Sequence, residues 1–244
     1  MTISPPDDTK SRPPGTPGTS SDAARCRVVD NRSERTLAIF DFDKTIVAKD
    51  SFRIFSLIAS KTWPKKAVVS LLAVIGKVGF ISNDRYKRLV LRVAWDRKVE
   101  QQKALALQDL YQKLDGIRIA EVAELLQEHL SCNHYVAVLS ASPAFYLKPY
   151  FQSWVNNVRV FASEYGQCDG KPFFRNMYMT EKLSCAGQLM KELSPDRVIV
   201  YTDHISDAPI MKIADCVRIV RPSIRLRRKL EEMGIAYIAI GENA

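Results

Sequence analysis

The chain has 244 residues, 46% of them hydrophobic, and a formal net charge of +9 at pH 7. That is ample apolar material for one globular core, or for a core with a smaller second domain, and it excludes a chain without a core. The positive balance favours an anionic partner such as phosphate, nucleic acid or an acidic membrane surface, without choosing among them. Cys26, Cys132, Cys168, Cys185 and Cys216 are scattered and form no Cys-x-x-Cys pair. This argues against a disulfide framework or a structural zinc site, and for a reducing compartment.

Residues 1–34 are rich in Pro, Ser and Thr. Such a stretch buries too little apolar surface to offset the cost of ordering, so it reads as a disordered tail with no secretory leader. An apolar run, Thr36 to Phe40, then reads as a buried strand that stops abruptly in two acids, Asp41 and Asp43. Two carboxylates this close repel and resist desolvation unless a cation or a proton compensates.

Helical periodicity follows over 51–59, 84–95, 99–114 and 117–130, with no clear strand between 51 and 131. Within this helical insertion lies an unusual stretch, 67–81, that is apolar except for Ser70, Gly76, Lys77 and Gly79. It is too short and too broken to span a bilayer. Strand-like runs return at 135–139, 158–161, 197–201, 217–220 and 236–240. Helices are expected at 144–154, 183–193, 209–214 and 225–233, with a small hairpin in 164–179. Strands alternating with helices predict an α/β fold with a doubly wound parallel sheet.

Three of the strands end in polar residues: Asp41 and Asp43, then Ser140, then Asp203 and Asp207. In a parallel sheet all three ends lie on one edge, where open α/β sheets bind ligands. A carboxylate nucleophile, a second carboxylate to protonate a leaving group, a hydroxyl for a phosphoryl oxygen and a further acid for a hard cation make a phosphoryl-transfer site. Lys182, expected just before a helix between the second and third of these strands, suits the counter-charge.

With these residues in order, the sequence resembles the haloacid-dehalogenase-like superfamily of aspartate-nucleophile phosphatases. The first motif, DxDx[TV], matches Asp41-Phe42-Asp43-Lys44-Thr45; the second matches Ser140; the third matches Lys182; the fourth, GDxxxD, matches Thr202 to Asp207, with Thr202 in place of Gly. The resemblance implies a Rossmann-like sheet, formed by 35–50 and 132–244, and a helical cap with its connection over 51–131. It implies that Asp41 attacks phosphorus, Asp43 serves as acid and base, and Ser140, the Ala141 backbone and Lys182 hold the phosphoryl group. Magnesium would be held by Asp41, Asp43 and Asp203, with Asp207 acting through water or orienting the site. The insertion point of the cap is similar to subfamily IB, which contains phosphoserine phosphatase and phosphatidylglycerophosphatase C-like proteins. Phosphoserine phosphatases carry a Glu nine residues after the first Asp, where this chain has Asp50.

The expected activity is therefore magnesium-dependent hydrolysis of a phosphomonoester, either a lipid phosphate or a small phosphorylated metabolite, with phosphoserine as the alternative. A non-catalytic protein that binds anionic membrane or nucleic acid is the rival of another class. No nucleic acid is expected, because the basic residues are not interleaved with aromatic platforms. Residues 61–98 hold ten Lys and Arg against Asp84 and Asp96. This basic, partly apolar segment implies a cytoplasmic protein with peripheral contact to anionic membrane. The open alternative is that 67–81 packs as a cap helix with a solvated basic face.

Overall fold

The computed structural model describes residues 34–168 and 171–241. The tail expected over 1–34 lies, apart from Glu34, outside these residues. In chain order the elements are β1 (Thr36–Phe40), α1 (Ser51–Ala59), α2 (Trp63–Lys77), α3 (Asn83–Ala94), α4 (Glu100–Asp115), α5 (Ala120–Ser131), β2 (Tyr135–Pro143) and α6 (Ala144–Trp154). Then come β3 (Val158–Cys168), β4 (Lys171–Arg175), α7 (Thr180–Leu193), β5 (Arg197–Thr202), α8 (Ala208–Met211), β6 (Cys216–Val220), α9 (Ile224–Glu232) and β7 (Ile238–Ile240).

The strands form one sheet in the order β4-β3-β2-β1-β5-β6-β7. All neighbours pair in parallel except β3 and β4. β1 lies at its centre because every residue from Thr36 to Phe40 is buried, so both of its faces need cover. Its side chains alternate between two cores. Ala38 and Phe40 join Val122 and Leu126 of α5 and Tyr146, Leu147, Tyr150 and Phe151 of α6. Leu37 and Ile39 join Cys185, Ala186 and Leu189 of α7 and Ile210 of α8.

Several expectations are corrected. The strand expected over 158–161 runs on to Cys168, and its second half is one arm of a hairpin with β4. The helix expected over 209–214 shrinks to the single turn of α8. α7 begins at Thr180, so Lys182 sits in its first turn rather than before it. Cys132 and Cys185 carry free thiols.

Both connections to the helical insertion run side by side. The Ala48 N–H donates to the Ile117 carbonyl at 2.8 Å, and the Ile119 N–H to the Ile46 carbonyl at 2.9 Å. An aromatic cluster fixes the insertion to the sheet layer: Phe55 of α1 stacks on Tyr146 of α6 at 5.4 Å, and Trp95 stacks on Phe145 at 5.0 Å. Offset and edge-on contacts of this kind add to simple burial.

Beneath the sheet centre, His129 is fully buried. Its Nε2 lies 2.8 Å from the Tyr201 hydroxyl and its Nδ1 lies 2.8 Å from His134 Nδ1. Burial above all, then His134, Arg218 and Arg197, lowers its pKa from 6.5 to about 3. The folded protein thus keeps His129 neutral where the unfolded chain protonates it, so unfolding takes up a proton between those two values. The stability linked to His129 is complete above its unfolded pKa and drains away below it, by about 2 kcal/mol at pH 5. Thermal melts should show a lower midpoint at pH 5 than at pH 7. An unchanged midpoint contradicts this account.

Candidate active site

β1, β2 and β5 deliver their polar ends to the same edge of the sheet. The Asp41 N–H continues the ladder by donating to the Tyr201 carbonyl at 2.9 Å. The chain then turns sharply, with Lys44 exposed in the left-handed region at φ 60° and the Ile46 N–H returned to the Phe42 carbonyl at 2.9 Å. A side chain at positive φ is uncommon and holds only where its surroundings fix it.

Two separate polar networks meet here. In the first, the buried Lys182 ammonium lies 2.8 Å from Asp41 Oδ1 and 3.0 Å from Asp207 Oδ2. Asp207 Oδ2 also accepts from Thr202 Oγ1 at 2.8 Å, and Thr202 Oγ1 accepts the His204 N–H at 3.2 Å. The hydroxyl of Thr202, absent from a glycine, therefore holds Asp207 in place. Burial disfavours the Lys182 charge, but Asp41 and Asp207 outweigh it and raise the pKa. Burial, reinforced by Asp207 and Asp203 and opposed by Lys182, raises Asp41 to about 7. Burial also raises Asp203 to about 6, with Asp207 adding to it and Lys44 opposing.

In the second network Asp43 Oδ1 accepts the Ser51 N–H at 2.7 Å, and Asp43 Oδ2 accepts from Ser142 Oγ at 2.6 Å. The hydroxyls of Ser51 and Ser142 are 2.8 Å apart, and that of Tyr146 lies 3.0 Å from Ser51. Burial and the charge of Asp50 raise the Asp43 pKa against these hydrogen bonds. The two adjacent acids thus face different partners: an ammonium for Asp41, hydroxyls and an amide for Asp43.

Ser140 is buried, and its Oγ accepts the Ser142 N–H at 3.0 Å. A register shift between Ser140 and Pro143 bends β2 here and brings Ser142 to Asp43. The Ala141 carbonyl accepts from Ser163 Oγ at 2.8 Å and from Lys87 Nζ at 2.6 Å. Asp50 is exposed and caps α1, accepting the Arg53 N–H at 2.9 Å.

Sequence reasoning missed Ser51, Ser142, Tyr146 and Lys87. Ser142 had a signal, since residues two apart on a strand share a face and Ser140 was already singled out. Lys87 had none. It is one of ten basic residues in 61–98, yet among those whose side chains are described it alone is buried, between the rings of Phe52 and Phe174 at 5.6 Å each. Burial lowers its pKa although Asp43, Asp50 and Asp84 oppose this.

Among the described residues, no three His, Cys, Asp or Glu side chains are gathered into a ready metal cage. The donor set still suits a hard divalent cation. Asp41, Asp203 and Asp207 bear on one another with Lys182 as the sole cation hydrogen-bonded to any of them among the described residues, and the buried Asp207 Oδ1 has no hydrogen-bond partner.

Among curated proteins, a probable phosphatase of Mycobacterium tuberculosis is 25% identical, covering 96% of this chain and 82% of its own length. The "inhibition of morphological differentiation protein" of Streptomyces azureus is also 25% identical, over 82% of this chain and 77% of its own. Among solved structures, a Bordetella pertussis protein of unknown function superposes with a TM-score of 0.72 at 16% identity, over 84% of this chain and 99% of that one. A phosphoserine phosphatase in a phospho-aspartyl intermediate analogue form gives 0.60 at 16% identity, over 85% and 94%. These structural likenesses establish the α/β fold. The profile of the haloacid dehalogenase-like hydrolases matches residues 38–212, and the chain belongs to that family.

Proposed function

We propose that this hydrolase cleaves phosphomonoesters through an aspartyl-phosphate formed on Asp41. The observation that supports it best is the division of the two adjacent acids between unlike partners, Lys182 for Asp41 and the Ser51 and Ser142 groups for Asp43. Two titratable groups held in contrasting surroundings suit two roles.

In this reading Asp41 attacks phosphorus while the ester oxygen departs with the proton of Asp43. Asp43 then takes a proton from water, the water oxygen attacks the aspartyl-phosphate, and inorganic phosphate leaves with Asp41 regenerated. Burial and the charge of Asp50 push the Asp43 pKa up, the direction that suits a general acid. Lys182 neutralises charge on Asp41 and on the incoming phosphoryl group. Ser140 and the Ala141 backbone line the phosphoryl position at the bend of β2. Asp41, Asp203 and the Asp43 backbone would hold magnesium, with Asp207 behind them; when bound, the ion supplies the positive charge that keeps these buried acids ionised and offsets phosphoryl charge.

The substrate is a lipid phosphate or a small phosphorylated metabolite, selected by the helical insertion acting as a cap. Phosphoserine is the alternative substrate and fits less well, because this chain has Asp50 where phosphoserine phosphatases carry a Glu. A cytoplasmic location with peripheral contact to anionic membrane through 61–98 belongs to the same proposal. No helix among the described residues is long and apolar enough to cross a membrane.

A chromogenic phosphate ester assayed with magnesium, with a chelator, and with magnesium restored tests the reading. Hydrolysis should fall by about two orders of magnitude or more on chelation and return with the ion. Purified protein inactive towards a broad panel of phosphate esters in the presence of magnesium refutes it.

A further inference from the structure

α2 turns an apolar face to solvent. Trp63, Leu71, Val74 and Val78 recur along one side of the helix line, and Phe80 follows just beyond its end; they are 81%, 59%, 59%, 65% and 80% exposed. Their separations of eight, three and four residues keep them within one narrow arc of the helix. The opposite face is also apolar and is already occupied. There Val69 is buried, Leu72 packs against the main core, and Gly76 lies so close to α3 that a Cβ on it would sit 3.4 Å from the Tyr86 ring. The outward face is therefore a second apolar surface, beyond what packing requires. A contiguous patch of this kind marks a surface that meets something other than water.

The charges around it say what that is. Lys61, Lys65 and Lys66 gather at the start of α2, and Lys98 lies near them: after burial, the charges of Lys65 and Lys61 push its pKa down. Arg85, Arg88 and Arg92 are exposed on the neighbouring α3. The two acids of the segment do not neutralise them. Asp84 accepts from Asn176 at 2.8 Å and Asp96 from the Tyr165 hydroxyl at 2.6 Å. Among the described residues, no salt bridge engages a cation of 61–98. Two copies meeting through this face would bring two cation-rich surfaces together, which like charges oppose. An anionic bilayer satisfies both features, with headgroups for the cations and the upper acyl region for the apolar face.

We propose that the outward face of α2, with the cations beside it, docks this enzyme on anionic lipid bilayers. The inference rests on the reading above for the peripheral contact that it localises, and it names the contact surface. α2 lies in the plane of the interface, with Trp63 and Phe80 at its two ends as anchors. Substrate carried in the same membrane would then reach an enzyme already held at the surface.

The test uses the full chain and two kinds of vesicle, pure phosphatidylcholine and a phosphatidylcholine–phosphatidylglycerol mixture. The protein should co-sediment with the mixed vesicles, and less so as salt is raised. The variant Leu71→Ser/Val74→Ser/Val78→Ser should bind them about tenfold or more weakly. Lys61→Gln/Lys65→Gln/Lys66→Gln should weaken binding and flatten its salt dependence. Both variants should hydrolyse a soluble chromogenic ester like the unmodified protein, so lost binding with retained hydrolysis separates docking from chemistry. Bound protein without hydrolysis of any ester overturns the enzymatic reading and leaves the docking standing. Equal binding to both vesicles, no binding, or unchanged binding by the serine variant overturns the docking proposal. So does a stable dimer in solution that the serine variant dissolves.

Discussion

Asp41→Asn should lower phosphate-ester hydrolysis by about ten thousandfold or more while leaving the melting midpoint, measured without added metal, unchanged or raised. The rate falls because an amide cannot form the acyl-phosphate, and loss of a nucleophile is among the costliest single changes an enzyme can suffer. The midpoint holds because Asp41 is an electrostatic burden on the fold. Burial, Asp207 and Asp203 all work against its charge, and only Lys182 favours it. The isosteric amide removes that repulsion, and Lys182 keeps Asp207 at 3.0 Å. Opposite movements of rate and stability identify a residue present for chemistry. If the variant keeps more than about a tenth of the activity, Asp41 is not the nucleophile.

Lys182→Met should move both quantities down. Its ammonium is buried and shared by two carboxylates, and its removal takes from both their only hydrogen-bonded cation among the described residues. Breaking a buried pair from one side costs on the order of 3 kcal/mol. In a chain of this size that corresponds to a midpoint lower by roughly 10 °C. Activity should fall by about a hundredfold or more as the charge facing the phosphoryl group is lost. The exposed Arg35–Asp196 pair, at 2.9 Å, provides the control: Arg35→Met should leave the midpoint and the rate essentially in place. A Lys182→Met protein as stable as the parent would mean that the ion pairs of Lys182 do not hold the fold.

The acids were legible in sequence because a buried central strand is the simplest pattern a chain can write. Leu37 to Phe40 and Val198 to Val200 are apolar without interruption, their strands end abruptly and pair in parallel, so the residues just beyond them share an edge. The supporting hydroxyls were not legible, since Ser51 and Tyr146 are brought to Asp43 by how α1 and α6 pack and not by local pattern. Lys87 is lost in a basic run for the same reason: only the folded arrangement of Phe52, Phe174 and the Ala141 carbonyl distinguishes it from its solvated neighbours. The length of β3 escaped because its second half is partly exposed and pairs only with β4 at the sheet edge. α2 was ambiguous in a physically instructive way. Apolar residues on both its faces erase the periodicity that would have said which face is inside.

Asp43 is held by two hydrogen bonds of different origin. One comes from the Ser51 N–H, in the first turn of the helical insertion, and the other from Ser142, at the bend of a sheet strand. Neither half of the molecule can grip that carboxylate alone. A rotation of the insertion that parted Ser51 from Asp43 would remove one of the hydrogen bonds that oppose the upward push of burial on its pKa. The arrangement is an interlock: insertion and sheet each hold one oxygen of a single buried carboxylate, so the posture of the helices is written into its hydrogen bonds.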